Sequence, residues 1–445
     1  MNLSRGSEHA FNHRPSSAEI TTVIPSEFLD RMIYALRCMV EMTVRFELLF
    51  SHHLDASRLE KALLLLLDAE PVTGCRFKTD RYFPYWERIE HMHRSNLRVA
   101  HDLKEYEAYK LLPLDIHKGP QVEACLLQQD NGSKLILKVA HEIADGGGLK
   151  QIAEVLSDIY THLDENPYYR PCPNIEGSRD HKQILQYIPR RAYPQIIIHH
   201  LQEMWGHFAS GKTLTLELPP SSRTGLDFII HLLDEDRVAR IAAYGRTHGA
   251  TLNDMFLTGV LQAMARIDRQ GHDKHLRVAT TVDMRRYVPD YRGEGICNLS
   301  SGEFLYFGSS IGTRFNDTLQ QVKEITRRRK AAWYGLNSYI GMIPFLSVLS
   351  QKRLSWFFES VFRQLINRNK YPSVFTNGGI FDASDLYFDG HSPQMLYALM
   401  PPVYPPVFGL AMIGYKGTLQ LSTAVYQGTR ERVEQFFEIM LKELP

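Results

Sequence analysis

The sequence predicts a mixed α/β fold, either α/β or two-layered α+β, that is divided into two lobes. Segments with the pattern of strands alternate along the chain with segments that have the apolar spacing of helices. The chain has 445 residues, more than one compact core of ordinary size accommodates. Apolar residues make up 44% and charged residues 23% of it, so a globular protein with a substantial core is expected.

The first elements are a strand, a helix and a second strand. Met42 to Phe50 is rich in β-branched and aromatic residues, which favours a strand. Leu54 to Glu70 has apolar residues at helical spacing after Asp55, a suitable N-cap, and Pro71 ends this helix. A second strand is expected within Val72 to Phe77.

A hairpin and a helix flank the most distinctive turn. Gln121 to Gln129 and Ser133 to Val139 read as two strands joined by a turn at 130–132, and the pattern becomes helical from Gly148. The remaining expected elements are a lobe linker (166–180), a strand (213–218), helices (234–248 and 251–267), strands (275–284, 407–414 and 418–426) and a closing helix (430–444). We therefore expect a flexible tail (1–22), an N-terminal lobe (23–210) and a C-terminal lobe (211–445).

Charge and cysteine content exclude several classes of function. The formal net charge is +1, which gives no reason to expect a nucleic-acid partner. The five cysteines are widely spaced and form no CxxC pair, so neither a disulfide framework nor a thiolate zinc site is expected. No secretory signal and no membrane-spanning apolar run is visible, and the chain is expected to be cytoplasmic.

The turn from Ala140 to Gly148, with the sequence AHEIADGGG, carries the chemistry. It follows a strand and precedes a helix, and its three glycines allow a tight turn and the close approach of a ligand. A histidine at such a turn can take up a proton at neutral pH, so His141 is the candidate general base. Asp145, four residues further on, is expected to lock the turn.

His141, Asp145 and Gly146 match a known signature, His-x-x-x-Asp-Gly, on a strand-to-helix turn. Here the sequence resembles the superfamily of CoA-dependent acyltransferases and condensation domains, which includes chloramphenicol acetyltransferase. It is most similar to stand-alone alcohol- and polyketide-type acyltransferases. The family often has a second histidine where this chain has Ala140. The resemblance also covers segments 54–77, 249–254, 282–285, 298–301 and 376–379.

The resemblance implies two chloramphenicol-acetyltransferase-like lobes with a tunnel between them and His141 in mid-tunnel. His141 would deprotonate a hydroxyl, amine or thiol that attacks an acyl thioester. No permanently bound cofactor is implied; the co-substrate is acyl-CoA or an acyl-carrier thioester. The Asp-Phe-Gly-Trp-Gly motif of the plant BAHD enzymes is absent, which favours a carrier-protein thioester over CoA as the donor.

Further site residues follow from the same resemblance. Arg285 is the expected partner of Asp145, because Asp283 and Arg285 share one face of an alternating strand. Ser300, Ser301 and Asn377 are candidate donors to the oxyanion of the tetrahedral intermediate, by loose analogy.

Alternatives remain open at this stage. His141 could be a structural histidine, and the protein could be a non-catalytic relative that binds a carrier protein or ligand. A third hypothesis is that the protein is a condensation-type enzyme that forms amides only from carrier-bound substrates. The adjacent pairs His52-His53 and His199-His200 lack carboxylates at metal-ligand spacing, so no metal site is expected.

The segment 352–370 has an apolar stripe of leucine, phenylalanine and other residues flanked by lysines and arginines. Such a basic amphipathic helix can lie on a membrane surface. Packing of the stripe against its own domain is the favoured interpretation, and lining of a channel for an acyl chain is a third.

Overall fold

The computed structural model describes residues 21–90, 95–209, 211–219, 223–267, 274–308 and 311–445. Its strands are β1 (Val23–Pro25), β2 (Thr43–Phe50), β3 (Cys75–Lys78), β4 (Tyr85–Arg88), β5 (Leu97–Ala100), β6 (Val122–Gln129), β7 (Gly132–Ala140), β8 (Thr213–Leu214), β9 (Asp227–Leu233), β10 (His275–Asp283), β11 (Ser300–Tyr306), β12 (Ser373–Phe381), β13 (Met395–Leu399), β14 (Gly409–Tyr415) and β15 (Thr418–Val425).

The helices complete the layers on these sheets. They are α1 (Phe28–Ala35), α2 (Ala56–Ala69), α3 (Leu103–Leu111), α4 (Gly146–Glu165), α5 (Lys182–Leu185), α6 (Tyr193–Ala209), α7 (Glu235–Thr247), α8 (Leu252–Ile267), α9 (Phe315–Ala331), α10 (Leu336–Leu346), α11 (Gln351–Asn367) and α12 (Arg430–Glu443). None of the helices in the described ranges is both long enough and apolar enough to cross a bilayer.

The first lobe is built on a five-stranded sheet in the order β13-β2-β7-β6-β5. Its pairs are antiparallel except for the parallel pair β5–β6. Helices α2 and α4 pack on each other and, with the inner face of the sheet, enclose one apolar core. The aspartate side chain of Asp55 caps α2 as its sequence predicts, accepting hydrogen bonds from the backbone N–H groups of Ser57 and Arg58.

The second lobe contains the larger sheet, in the order β11-β10-β12-β14-β15-β9, with β8 also paired to β10. The pairs β10–β12 and β12–β14 are parallel, and the outer pairs are antiparallel. A second apolar core lies under this sheet and receives α8 and α12. The expected mixture of helices and strands in two lobes is therefore present.

The lobes exchange segments, so the chain does not divide cleanly at residue 210. Strand β13 (Met395–Leu399) lies in the sheet of the first lobe, where it pairs with β2. Phe381, Leu386 and Phe388 also pack in the first core. In the other direction, Phe28 of α1 and Ile196 of α6 pack in the second core. The expected ranges 23–210 and 211–445 thus each contain segments that complete the other lobe.

Several element boundaries differ from the sequence expectation. The helix expected from Gly148 begins at Gly146, because Asp145 rather than a later residue caps it. Residues Pro71–Gly74 form a 3₁₀ turn before the short strand β3. The stretch Thr376 to Gly379, expected as a polar turn, lies inside β12, where the register shifts between Asn377 and Ile380. A β-bulge has glycine-rich sequence like a turn, but the strand continues through it.

The basic amphipathic helix expected at 352–370 is α11, and most of its apolar stripe is covered by the chain itself. Leu354 is fully buried in the second core, and Phe358 packs against that core. Phe362, Leu365 and Ile366 pack against a smaller cluster. This packing agrees with the favoured interpretation of the stripe.

Candidate active site

His141 directly follows β7 and is half-buried. Its backbone N–H donates to the carbonyl of Met42, at 2.9 Å, which continues the pairing of β7 with β2. The ring folds back so that Nδ1 lies 2.9 Å from the carbonyl oxygen of Ala144. A carbonyl only accepts, so Nδ1 carries a hydrogen and Nε2 of a neutral ring has the lone pair.

The Nε2 atom of His141 is the free end of the ring within the described residues. It makes no hydrogen bond to any residue in the described part of the chain. It is also not fully buried. A histidine oriented through Nδ1 with an open Nε2 has the arrangement that general-base catalysis needs.

Asp145 locks the turn, and it is 1% exposed. Its Oδ1 caps α4 by accepting the N–H of Gly148 at 2.9 Å. Its Oδ2 accepts the N–H of Leu299 at 2.7 Å and the hydroxyl of Ser300 at 2.8 Å. Burial raises the pKa of Asp145, but the Arg285 guanidinium and these donors outweigh burial and lower it. The carboxylate is therefore ionised and holds the two lobes together.

The structure brings Arg285 and Asp145 together, with Arg285 Nη1 2.9 Å from Asp145 Oδ1. The same nitrogen lies 3.2 Å from Asp283 Oδ1, and Nη2 donates to the Cys297 carbonyl at 3.1 Å. The strand that was expected to run to Met284 ends at Asp283. Arg285 lies on a 3₁₀ turn that Asp283 caps, so the turn and not strand alternation aims its side chain.

Asn298 is a site residue that the sequence reasoning did not single out. Its Nδ2 donates to the carbonyls of His141, at 2.9 Å, and Glu142, at 2.8 Å. The residue is 3% exposed. Its position inside the stretch NLSS, already matched to the family, was the available signal. Asn298 therefore fixes the backbone that carries the His141 ring.

Glu142 anchors the other side of the turn. Its side chain is fully buried and forms an ion pair with Arg37, in the 3₁₀ turn that follows α1. A buried carboxylate that is paired with an arginine is held firmly in place, because breaking the pair would leave an uncompensated charge in the protein interior. The turn is therefore held from both sides, by Arg37 and by the 297–300 segment.

The three glycines serve close approach rather than unusual backbone angles. None of Gly146, Gly147 and Gly148 has a positive φ. A Cβ at Gly147 would lie 2.4 Å from Arg285 Nη1, and one at Gly148 would lie 2.9 Å from the Cys297 carbonyl oxygen. A Cβ at Gly146 would meet no atom within 4 Å. Glycine at 147 and 148 thus admits the second lobe, while Gly146 faces open space.

The two serine candidates for oxyanion donor lie on opposite faces of β11. Burial alternates along this strand, with Ser301 on the buried face and Ser300 on the other. The Ser300 hydroxyl hydrogen is donated to Asp145. The Ser301 Oγ is buried and has no hydrogen-bond partner among the described residues. The two hydroxyls cannot both face one oxyanion.

Asn377, the third candidate, is exposed on β12. Its Nδ2 donates to Oδ1 of Asn253, at 3.1 Å, in the first turn of α8. Its own Oδ1 accepts the N–H of Gly379 at 2.9 Å. An amide nitrogen carries two hydrogens, so this group has a second one to donate.

A cavity of about 710 Å³ opens beside the first turns of α4. Its wall contains Gly147, Lys150 and Glu154 of α4, with the segments 289–294 and 380–386, and within the described residues it does not include His141. This volume suits a substrate-sized ligand. The tunnel that the resemblance implies at His141 therefore stays a prediction.

Metal chemistry has no obvious donor set here. Over the described ranges, no three side chains of histidine, cysteine, aspartate or glutamate are grouped as metal ligands would be.

Comparisons with known proteins place the fold. No family model matches the sequence, and no curated protein matches it. Among solved structures, the trichothecene 15-O-acetyltransferase TRI3 from Fusarium sporotrichioides is similar, with a TM-score of 0.71, 12% identity and 95% of each chain covered. The first condensation domain of the CDA synthetase aligns with a TM-score of 0.67 and 15% identity, over 95% of this chain and 96% of that one.

A third similar structure is polyketide synthase associated protein 5 from Mycobacterium tuberculosis, with a TM-score of 0.64 and 15% identity, covering 94% of this chain and 97% of that chain. The chain therefore has the two-lobed fold that these three structures share. The expectation of two chloramphenicol-acetyltransferase-like lobes is confirmed at the level of the fold.

Proposed function

We propose that this protein is an acyltransferase that moves an acyl group from a thioester to a hydroxyl or amine acceptor, with His141 as general base. The observation that carries the proposal is the orientation of the His141 ring. The Ala144 carbonyl fixes the hydrogen on Nδ1, and Nε2 is open. The ring lies on a turn clamped between two lobes of a fold in which acyl transfer is known.

The reaction transfers the acceptor proton and replaces the C–S bond of the thioester with a C–O or C–N bond. Nε2 of His141 takes the proton of the acceptor while the acceptor oxygen or nitrogen attacks the thioester carbonyl carbon. The tetrahedral oxyanion then collapses, the C–S bond breaks, and the imidazolium returns the proton to the leaving thiolate. General-base assistance of this kind contributes roughly 10²–10⁴-fold.

Asp145 and Arg285 act as positioning residues in this mechanism. Both are buried and paired with each other, so neither is suited to exchange a proton with substrate. Their pair holds the turn that carries His141 against the entrance of β11. Gly146 leaves room beside the turn for the reacting groups.

The three candidate oxyanion donors differ in whether they still have a hydrogen to donate. Ser300 has given its hydrogen to Asp145, and Ser301 faces the buried side of β11. Asn377 keeps a second amide hydrogen and is exposed, so we favour it. Loss of one such donor typically costs about 10²–10³-fold in kcat. Asn377→Ala should show a loss of this size, and a smaller loss in Ser301→Ala would support the ranking.

The donor is either acyl-CoA or an acyl group on a carrier protein. The proposal is tested by following thiol release from a panel of acyl-CoAs and from acylated carrier protein, with and without alcohol and amine acceptors. Thiol release that depends on an acceptor supports an acyltransferase. Activity with carrier alone would identify the carrier-dependent amide-forming alternative. Binding of donors without any acceptor-dependent release would favour the non-catalytic alternative.

A further inference from the structure

Helix α6 has an apolar stripe on its outer face. On its inner face Ile196 is fully buried and His200 is 7% exposed. On its outer face Ile197, Leu201 and Trp205 follow one another at four-residue spacing and are all exposed. The apolar stripe of an amphipathic helix normally faces a core, so an apolar stripe on the solvent side calls for another partner.

The end of α10 carries further exposed apolar side chains. Gly341 of α10 packs against the His200 ring, and Asn337 bonds to Glu203, so the two helices run antiparallel. Phe345, one turn after Gly341, therefore lies level with the start of α6, and it is 75% exposed. We call the exposed apolar side chains of these two neighbouring helices and the turn after α10, Ile197, Ile198, Leu201, Trp205, Phe345 and Val348, the α6–α10 surface.

These exposed side chains are large, and Trp205 alone is 77% exposed. Scattered apolar residues are ordinary on a protein surface, whereas a row on one helix face, such as Ile197, Leu201 and Trp205, marks an interaction site. Tryptophan is also enriched at the boundary between a bilayer and water.

The exposed lysines, arginines and acids in the two segments that carry the α6–α10 surface are of one sign. The segments 190–206 and 345–356, which carry it, contain the bases Arg190, Arg191, Lys352 and Arg353, all exposed. They contain a single acid, Glu203, which is turned inward and paired with Arg329. A partner that complements this surface is therefore apolar and negatively charged.

We propose that the α6–α10 surface docks on an anionic lipid membrane. The apolar side chains enter the boundary between headgroups and acyl chains, and the four bases contact lipid phosphates and carboxylates. The contact proposed is with the membrane surface. This differs from the membrane contact considered for α11, because the apolar stripe of α11 is largely covered. The proposal does not depend on acyl transfer.

The test is co-sedimentation of the full-length protein with vesicles of phosphatidylcholine, with and without phosphatidylserine. Wild-type protein should bind the vesicles that contain phosphatidylserine and bind plain phosphatidylcholine weakly. The double variant Ile197→Asp/Leu201→Asp should lose binding, and Arg190→Glu/Arg191→Glu should lower the partition coefficient by about tenfold or more. Trp205 stays as a reporter, and its emission should shift to the blue on binding.

Tyr168→Asp is the matched control, because Tyr168 is the most exposed aromatic side chain described and lies outside this surface. It should bind like wild type, and all variants should keep the wild-type melting temperature. The proposal is overturned if wild type does not bind phosphatidylserine vesicles, or if Ile197→Asp/Leu201→Asp binds equally well. It is also overturned if wild type forms a dimer that this variant abolishes, since a second copy would then cover the surface.

Discussion

At the scale of single residues, His141 and Asp145 each have specific partners: the His141 ring lies against the Ala144 carbonyl, and Asp145 caps α4. The motif His-x-x-x-Asp-Gly singles out both residues, but it does not give these partners. Ser300 and Ser301 are both candidate oxyanion donors by loose analogy with the family. Adjacent residues on a strand face opposite ways, and only the strand boundary of β11 reveals this.

The glycines of the turn give a prediction with a built-in control. Gly147→Ala places a Cβ 2.4 Å from Arg285 Nη1, so the guanidinium must move away from Asp145. We expect a loss of about 1–3 kcal/mol in the free energy of unfolding, as for other overpacked sites. Urea denaturation measures the change.

Gly146→Ala is the control for that variant, because its Cβ meets nothing and its φ is not positive. Its stability should be unchanged or raised by about 0.4–1 kcal/mol, since alanine restricts the unfolded chain. Equal losses in the two variants would show that contact with Arg285 is not what requires glycine.

At the scale of elements, the site depends on the entry into β11, and the sequence described this region only in outline. Arg285 was expected to reach Asp145 from a strand, yet it does so from a 3₁₀ turn. The pairing of Arg285 with Asp145 could be predicted from charge and family resemblance. The 3₁₀ turn that carries Arg285 could not, because the local composition does not distinguish such a turn from a strand. The same applies to β12, whose Asn-Gly-Gly bulge looks like a turn in sequence.

Arg285→Lys tests the fork geometry of this pair. Arginine serves Asp145 and the Cys297 carbonyl through different nitrogens, and a single ammonium cannot reproduce both contacts. We expect a loss of about 1.5–3 kcal/mol, the range for hydrogen bonds to charged groups. Arg286→Lys, at the neighbouring exposed arginine, should change stability by less than about 0.5 kcal/mol. Similar effects of both substitutions would contradict the role given to Arg285.

Asn298→Ala tests the clamp on the catalytic turn. The carbonyls of His141 and Glu142 lose their shared donor, which should cost about 1–3 kcal/mol. Because the turn carries the base, kcat should fall more than KM rises. Asn298→Asp should be no better, since a carboxylate would face two carbonyl oxygens. Full activity in either variant would show that the clamp does not position His141.

At the scale of the whole molecule, the two lobes are joined by exchanged segments that no local pattern foretells. Strand β13 reaches the first sheet from the far end of the chain. Its register with β2 depends on contacts between residues about 350 positions apart, which strand propensity does not encode. The two-lobed class was predictable from length and motif, whereas the division of the chain between the lobes was not.

A second junction predicts how stability changes with pH. Glu203 of α6 and Glu303 of β11 share Arg329 of α9. Burial, and then the charge of Glu303, raise the pKa of Glu203 to about 7. The folded state thus binds this proton more tightly than the unfolded state, so stability should fall as pH rises from near 4.5 to 7.

Glu203→Gln should remove much of this dependence. The wild-type slope attributable to one proton is at most about 1.4 kcal/mol per pH unit, and the variant should be flatter across the same window. Glu438→Gln, at an exposed position of α12, should keep the wild-type slope. Urea denaturation at a series of pH values gives the comparison, and parallel curves for wild type and Glu203→Gln would refute the assignment.

The central claim is that Nε2 of His141 takes the acceptor proton. The most direct measurement is acceptor-dependent thiol release from an acyl thioester by wild type and by His141→Ala at matched concentration, with melting curves of both. We predict that release falls by at least about 10²-fold while the melting temperature is unchanged. Undiminished release by a folded His141→Ala protein would contradict the account.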